Sequence, residues 1–509
     1  MVGKVAPYKT KRNYFNLGHP FHFTAKMGYA YPTLALAFLP GDSLKVKINQ
    51  LARMMPLQTP TMSNIKGRLD FFRVDYGVVW PNFYKFIKQN GSEENPIEVP
   101  YNNIPDGGFP EGELADFLKI EPLAGDGVKY SMLPFRCYQK IINDYYLNTN
   151  IQDEIPIGEG DGLDVTTPTT LRKVNWKRDR FTNAQTTTQS GGDVILPIGQ
   201  KARLCAQPNT SLVAHDASDI DGPKQVYFDS ISNNAAIRTL PGGSSGQPEA
   251  FADLTTATGV SLRALSTARY LQEYRTRDLF AGDRYPDWQY MNWGVPSSDA
   301  RLQRSEWLGG FKWNFITSEV LQTSETTSTS AQGTMAGHGF SYGDGNIYIS
   351  KLNNYGMIFA IFTVMPEPTY QQGMDRMFSK FSPFDFALPL FSHMPMQAIK
   401  NQELFLQKAS VVDSNGDPVN EGNFGFEPVF DDYRSLMPHV AGQFRSSLSF
   451  WLMTRIFDSL PKLNEDFIQA DPTDRIFAVS SEKYDPLQCS HQYFIDSLRH
   501  LPKEGLPKF

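Results

Sequence analysis

Apolar and polar side chains alternate along much of the first hundred residues. Residues 44–48 read Leu-Lys-Val-Lys-Ile, the period of two that is typical of a strand with one buried face. A second alternating run predicts a strand over residues 72–80, with a bulge or a strand start near residues 71–72. Residues 357–365 are continuously apolar, which predicts a strand that is buried on both faces.

The apolar period changes to that of a helix in two places. Residues 133–147 carry one apolar stripe at helical spacing, and Pro134 suits a first helical turn. Residues 261–275 predict a second helix, with Leu265 and Ala268 on its inward face. Helices are therefore expected as occasional elements between strands.

Long segments without clear periodicity separate these elements. Residues 199–257 are rich in Gly, Ser, Asn, Asp and Ala, which is typical of a surface excursion. No repeat of 20–50 residues stands out. We therefore expect a mainly β fold, a β-sandwich or jelly roll with long loop and helical insertions, and not a regular alternation of strands and helices.

Charge and cysteine usage narrow the function. Lys and Arg number 48 and Asp and Glu 54, so the formal net charge is −6. A protein that binds nucleic acid by charge alone is usually basic, so any such contact must come from a local patch or a basic partner. Three widely spaced cysteines without metal-binding spacing indicate a reducing, cytoplasmic site of assembly.

Two basic clusters are candidates for contact with single-stranded nucleic acid, through phosphate pairing and aromatic stacking. The alternative is a solvated or subunit-interface segment. The first cluster lies in an N-terminal arm, residues 1–14, and the second in residues 171–180. Their members are Lys4, Lys9, Lys11 and Arg12 in the arm, and Arg172, Lys173, Trp176, Lys177, Arg178 and Arg180 in the second cluster.

Catalytic and metal-binding signatures are absent from the sequence. It contains no dinucleotide-binding, P-loop, zinc-protease or serine-hydrolase motif. His19 and His22 have a spacing that could offer two metal ligands, but no nearby cysteine or carboxylate completes a set. Asp431 and Asp432 lie beside Arg434, where a salt bridge or an interface contact is expected in preference to acid–base catalysis. We expect no enzyme activity, catalytic residue, metal or cofactor.

Several segments appear in the order found in Microviridae major capsid proteins, and the chain resembles the gokushovirus-like branch of that family. The match extends from about residue 15 to the C-terminus, with residues 199–257 unmatched. The segment FRVDYGVVW departs from the family's usual form. The segments that carry the resemblance are LPFRCYQKIINDYYLNTN (133–150), RDRFTNAQ (178–185), DVILPIG (193–199), RLQRSEWLGG (301–310) and FEPVFDDYRSLMPHVAGQFRSS (426–447).

The resemblance implies a single capsid domain over residues 1–509, folded as a viral jelly roll of two four-stranded antiparallel sheets. It implies a structural protein of the virion, of which about sixty copies form a T=1 icosahedral shell around a circular single-stranded DNA genome. A lectin-like or carbohydrate-active jelly-roll protein is the alternative from another functional class.

The resemblance also implies partners. They are other copies of the chain, the packaged DNA, a small basic DNA-packaging protein, a DNA pilot protein, an internal scaffolding protein and a host surface receptor. By position, residues 199–257 would form a protrusion at the threefold axes that meets the receptor. Candidates for a subunit contact or an internal brace, two interpretations that the sequence leaves open, are Arg301, Arg304, Glu306, Trp307, Arg434 and Arg445.

Overall fold

Strand-forming runs of the sequence fold into antiparallel sheets in the computed structural model. The residues it describes are 11–88, 97–189, 203–205, 212–214, 224–228, 237–241, 251–253, 262–281, 290–291, 293–294, 304–321, 335–350, 352–392, 394, 396–479 and 484–504. The chain divides into two units, one of residues 1–188 with 281–509 and one of residues 189–280. Each unit is described by itself.

The described elements are mainly strands. The strands are β1 (Asn13–Asn16), β2 (His19–Ala25), β3 (Tyr31–Phe38), β4 (Ser43–Met54), β5 (Ile65–Asp75), β6 (Tyr101–Asn103), β7 (Lys129–Ser131), β8 (Arg203–Cys205), β9 (Leu212–Ala214), β10 (Lys224–Phe228), β11 (Ile237–Pro241), β12 (Phe251–Asp253), β13 (Glu306–Asn314), β14 (Ile316–Leu321), β15 (Met335–Ile349), β16 (Gly356–Pro366), β17 (Gln397–Lys400), β18 (Asn423–Glu427) and β19 (Leu487–Arg499).

Helices are short except for two. The α-helices are α1 (Tyr76–Val79), α2 (Phe83–Ile87), α3 (Leu114–Phe117), α4 (Leu133–Ile141), α5 (Leu262–Ala281), α6 (Asn401–Leu404) and α7 (Glu465–Ile468), and α4 continues as a π-helix (Ile142–Tyr146). Single 3-10 turns lie at Arg376–Ser379, Pro383–Asp385, Pro389–Phe391, Val419–Glu421, Asp431–Tyr433, Gly442–Arg445 and Ser449–Trp451.

The two large sheets of the larger unit contain eight strands in jelly-roll order. The first sheet runs β2–β19–β4–β15, with β1 also pairing with β19 and β14 extending the sheet beyond β15. The second sheet runs β3–β16–β5–β13. Along the chain, β2, β3, β4 and β5 alternate between the two sheets, and so do β13, β15, β16 and β19. This connectivity confirms the predicted eight-stranded jelly roll with insertions.

A first apolar core lies between the two sheets. Leu44, Val46 and Ile48 of β4 point into it, together with Leu69 and Phe71 of β5. The intervening side chains of β4 are exposed or half-buried, so the period-two pattern is confirmed. We call the other side of the first sheet, where these side chains lie, the bare face.

A second apolar core covers the outer side of the second sheet. Phe72 and Val74 of β5 and Phe359 of β16 pack there against side chains of α4, including the fully buried Tyr138. Because β16 is in contact with a core on each side, nearly all its residues are buried, as the continuous apolar run predicts. The predicted helix at 133–147 is also confirmed, with Pro134 in the first turn of α4.

The prediction of a strand over residues 72–80 is wrong in its second half. β5 ends at Asp75, and Tyr76–Val79 form one helical turn. This turn carries Val79 and Trp80 into the second core. The predicted bulge lies on the partner strand, between Trp307 and Gly309, opposite residues 71–72. From Leu69 to its end, β5 is buried on both faces except at the half-buried Arg73, so its apolar pattern does not indicate where the strand bends.

The smaller unit contains α5 and two small antiparallel sheets, β8–β12 and β9–β10–β11. The predicted helix there is confirmed, but Leu265 is half-exposed in the described structure and does not face inward. The single-domain assignment and the insertion boundary at residues 199–257 stay predictions.

Candidate assembly and nucleic-acid surfaces

The segment 304–307 is tied to the end of the π-helix. The Ser305 amide and hydroxyl donate to the Asp144 carboxylate at 2.8 and 2.6 Å. The Arg304 guanidinium donates to the Asp144 carbonyl at 2.8 Å and lies 4.6 Å from the centre of the Tyr145 ring. These contacts join β13 to the helix that covers the second sheet.

The next two residues extend this connection to β5. Glu306 lies 3.4 Å from Arg73, and the Trp307 indole N–H donates to Asp70 at 2.9 Å. Arg304, Glu306 and Trp307 thus have partners within the subunit, and the choice between an internal brace and a subunit contact stays a prediction. Arg301 lies outside the described residues.

The basic cluster at 171–180 is divided by the fold between the interior and the surface. Trp176 is only 4% exposed, and the Arg455 guanidinium lies 5.0 Å from the centre of its ring. A nucleic-acid base cannot stack on a ring that is buried in this way. Trp176 is therefore removed from the predicted DNA contacts.

Arg180 is also buried, in an ion-pair network. Its guanidinium donates to Glu427 at 2.6 and 2.7 Å and to Glu403 at 2.5 Å, and Arg376 lies 3.2 Å from both carboxylates. Burial lowers the pKa of Arg180, but the hydrogen bond that it donates to Glu427 and the two negative charges outweigh this effect, so the pKa is raised. Because its donors are used inside the subunit, Arg180 is removed from the predicted DNA contacts as well.

Two further members of this cluster have partners within the subunit. Arg172 donates to the Gln139 side chain at 3.2 Å, and the Lys173 ammonium lies 2.8 Å from Asp471. Lys177 and Arg178, in contrast, are exposed. They line a cavity of about 770 Å³ on the outer side of the second sheet.

This cavity is mainly basic. Its charged lining consists of Lys66, Arg68, Lys177, Arg178 and Lys312 against Glu367. Glu367 lies 2.7 Å from Lys66 and 3.3 Å from Lys177, and the hydrogen bond from Lys66 is the main reason why the pKa of Glu367 is lowered to about 2. The cavity can therefore hold an anionic group.

The other predicted site residues are at the surface. Lys11 and Arg12 are exposed just before β1, and Arg12 donates to the His500 ring at 3.0 Å. Arg434 lies 3.7 Å from Asp431, as predicted, although the two residues belong to a 3-10 turn and its cap and not to a strand. Arg445 donates to the Gln371 carbonyl. Lys4 and Lys9 lie outside the described residues.

An apolar segment that the sequence analysis missed is highly exposed. Phe381 is 91% and Leu390 83% exposed. We call this segment the apolar ridge, and its large exposed side chains are Met377, Phe378, Phe381, Phe384, Phe386, Leu388, Leu390 and Met394. The run of apolar residues was visible in the sequence, but it has neither a strand nor a helix period.

Polar contacts hold the backbone of the apolar ridge in place. Lys380 lies 2.5 Å from Asp432 and 3.8 Å from the centre of the Tyr433 ring. Ser382 and Asp385 form a capping box at the 3-10 turn between them. Arg376 ties the start of the ridge to the buried Glu403 and Glu427. The apolar side chains are thus presented outward from an anchored segment.

The described residues contain neither a candidate metal site nor a candidate membrane-spanning helix. They contain no group of three or more His, Cys, Asp or Glu residues that could hold a metal ion. His19 and His22 are three apart on β2, so their side chains point to opposite faces of the strand. No helix in this part of the chain is long and apolar enough to cross a membrane.

A jelly roll with long insertions is an architecture found in viral shell proteins, among other classes. The family described as "Capsid protein (F protein)" matches residues 3–509, and the chain belongs to this family. It is 28% identical to capsid protein VP1 of Chlamydia phage 1 and 29% identical to capsid protein VP1 of Bdellovibrio phage phiMH2K, with 98% of this chain and 95% of each relative covered.

Capsid protein VP1 of Spiroplasma virus 4 is 28% identical, with 93% of this chain and 91% of that protein covered. The resemblance to gokushovirus-like Microviridae capsid proteins is confirmed. The protein is a structural capsid protein of the virion, and the matches give no support to the lectin-like alternative.

Proposed function

We propose that about sixty copies of this chain close a T=1 icosahedral shell around a circular single-stranded DNA genome. Family membership supports self-assembly into a capsid. The observation that carries the proposal is the apolar ridge, because an isolated subunit would leave it in water. A second copy of the chain is the partner that covers it.

The size of the apolar ridge fits this partner. A fully covered aromatic side chain contributes roughly 150–250 Å². The eight partly exposed side chains, four of which are phenylalanines, therefore offer on the order of 900 Å². One side of a stable protein interface is about 800 Å². Exposed Phe and Met residues are also enriched at such interfaces, whereas charged residues are depleted at their centres.

The remaining partners follow from the family resemblance. A small basic DNA-packaging protein offsets the acidic net charge of the subunits, while a DNA pilot protein and an internal scaffolding protein take part in assembly. The arm residues Lys11 and Arg12 are proposed DNA contacts. Contact through the exposed Lys177 and Arg178 is the alternative predicted from the sequence, and it would place the DNA at the cavity on the outer side of the second sheet. Shells assemble in the host cytoplasm before they are released as virions.

Expression of the chain with its scaffolding protein, followed by electron microscopy, tests the proposal. We expect closed shells of roughly 250–300 Å in diameter. A double variant, Phe381→Ser with Leu390→Ser, should remain folded by circular dichroism but fail to form shells, because it removes two of the most exposed apolar side chains. Val165→Ser, at an exposed apolar position outside the ridge, is the matched control. Normal shell yield from the double variant would contradict assembly through the ridge.

The insertion at residues 199–257 is proposed to form the receptor-binding protrusion. Its described residues form small sheets of their own within the unit of residues 189–280, which supports a role as a separate surface element. Deletion of residues 205–255 should leave shell formation intact and abolish host attachment, measured by adsorption of particles to cells. A deletion variant that does not fold would argue against this assignment.

A further inference from the structure

The bare face of the first sheet carries aromatic side chains in place of the small polar ones expected on a solvated sheet. Tyr342 and Tyr348 of β15 are 65% and 68% exposed, and Phe494 of β19 is about half-exposed. Exposed aromatic rings on an open sheet are the usual platform on which single-stranded nucleic acids stack their bases.

Basic side chains lie directly beside two of these three rings. In the strand register, Tyr348 is opposite Lys45, and Phe494 is opposite Lys47. Directly opposed residues on a sheet have their Cβ atoms about 5 Å apart. Tyr348 and Phe494 are therefore each next to an ammonium group that can pair with the phosphate of a nucleotide whose base is stacked on the ring. Tyr342 has Leu51 opposite it, and Lys45 also has Asp496 opposite it on β19.

The extent of the bare face suits a strand of several nucleotides. Tyr342 and Tyr348 are six residues apart on β15, about 20 Å along the strand. Sheets that bind single strands without sequence preference accommodate about 4–16 nucleotides. The rings and the two lysines thus form an extended platform and not a pocket for a single small molecule.

The charge of the bare face differs in sign from that of the whole chain. Its charged residues are Lys45, Lys47, Arg53, Asp344 and Asp496, a net charge of +1, whereas the chain carries −6. One carboxylate oxygen of Asp496 already accepts a hydrogen bond from the Tyr14 hydroxyl. The exposed Lys11 and Arg12 lead into β1 at the edge of the same sheet and add positive charge there.

We propose that the bare face binds single-stranded DNA, with bases stacked on Tyr342, Tyr348 and Phe494 and phosphates paired with Lys45 and Lys47. This inference rests on the proposed enclosure of DNA by the shell, and it assigns the bare face to the inside. Lys177 and Arg178 lie beyond the second sheet, on the opposite side of the sandwich. If the bare face lines the interior, these two residues face outward and do not contact the genome.

Binding of a fluorescent oligothymidylate of about 12 nucleotides to the purified chain, measured by anisotropy at several salt concentrations, tests the inference. The triple variant Tyr342→Ala, Tyr348→Ala and Phe494→Ala should bind at least about 100-fold more weakly, because each ring loses a stacked base. The pair Lys45→Gln and Lys47→Gln should reduce the slope of log affinity against log salt by about 1.4, the value for two lost phosphate contacts.

Two controls are matched to these variants. Tyr270→Ala removes a tyrosine that is 71% exposed on α5, and Lys177→Gln with Arg178→Gln removes two charges from the cavity. Both should bind the oligonucleotide like the wild type. In shells that contain DNA, ultraviolet cross-links should map to peptides containing Tyr342 and Tyr348.

Unchanged binding by the triple variant, or no binding by the wild-type chain, would overturn the inference. Loss of binding in the Lys177 and Arg178 pair would instead place the DNA on the cavity side. Microscopy of the same preparations distinguishes failure of this inference from failure of the proposed function. If the chain forms closed shells but the triple variant binds DNA normally, only the inference is refuted. If no shells form, the proposed assembly is refuted.

Discussion

The outer faces of the two sheets of the sandwich differ in how far other segments of the chain cover them. On the first sheet, β4 alternates between buried and exposed residues, and its outward side chains include Lys45 and Lys47. On the second sheet, almost every residue of β16 is buried, because insertions that include α4 cover its outer side. One sheet is thus half in solvent, whereas the central strand β16 of the other is buried on both sides.

The same residue types therefore have different roles on the two faces. On the covered face, Trp80 donates to Asp161 at 2.5 Å and Tyr138 donates to the Ala30 carbonyl at 2.8 Å, so their polar atoms are satisfied within the subunit. On the bare face, Tyr342 and Tyr348 present their rings to the surroundings. Aromatic residues on the covered face stabilise the fold, whereas those on the bare face are available to a ligand.

The largest expected effect contrasts an aromatic residue from each face. Trp80→Ala should lower the free energy of unfolding by roughly 3–5 kcal/mol, because it leaves a cavity in the second core and removes the hydrogen bond from the indole N–H to Asp161. Tyr348→Ala on the bare face should change it by less than about 0.5 kcal/mol. Urea denaturation of the unassembled subunit measures both. Similar losses for the two variants would contradict the difference between the faces.

A second contrast lies within the basic cluster at 171–180. Arg180→Met should cost about 3 kcal/mol, because it leaves the buried Glu403 and Glu427 with only Arg376 as a cation. Lys177→Met, at an exposed position, should cost less than about 0.5 kcal/mol. The same denaturation assay applies, and a stable Arg180→Met variant would show that the network is dispensable for folding.

The core between the two faces contains a buried histidine. Burial lowers the pKa of His491 to about 3, so it is neutral in the folded subunit and is protonated more readily when the chain unfolds. Above about pH 6.5 His491 is neutral in both states, so it does not affect the free energy of unfolding. As the pH falls from there towards 3, protonation of the unfolded chain lowers the free energy of unfolding, by about 2 kcal/mol at pH 5. His491→Gln should reduce this pH dependence in urea titrations at pH 7 and pH 5. An equal pH dependence in the variant would assign the acid sensitivity to other groups.

The smallest expected effect concerns the charges of the bare face. Lys45→Gln with Lys47→Gln should leave the free energy of unfolding within about 0.5 kcal/mol of the wild type, since both side chains are exposed. Thermal unfolding measures this change. A large loss would mean that the lysines stabilise the sheet, and it would weaken their use as probes of DNA binding.

Regular elements with a clear period could be predicted from the sequence. The alternation at 44–48, the apolar run at 357–365 and the helix at 133–141 each correspond to an element of the structure. The end of β5 could not be predicted, because the second half of the strand is buried on both faces apart from the half-buried Arg73 and its apolar pattern continues into the turn at Tyr76–Val79. Periodicity is informative only where one side of an element is polar.

The surroundings of the candidate site residues depend on distant parts of the chain more strongly than the regular elements do. Trp176 and Lys177 are neighbours in an irregular segment, and nothing local shows that one side chain points inward and the other outward. The partners of Arg180 are more than 200 residues away, at Glu403 and Glu427. The apolar ridge was also missed, because apolar residues predict burial but not whether the cover comes from the same chain or from a neighbour.

The sequence by itself determined the strand pattern and the family, because alternation of side chains follows from the geometry of a single strand and the ordered segments need no three-dimensional information. Only the tertiary structure decided which sheet face is bare, which basic residues are accessible and which apolar segment is left exposed on the subunit. Each of these properties depends on what packs over a residue, and in this fold the covering segment comes from elsewhere in the chain.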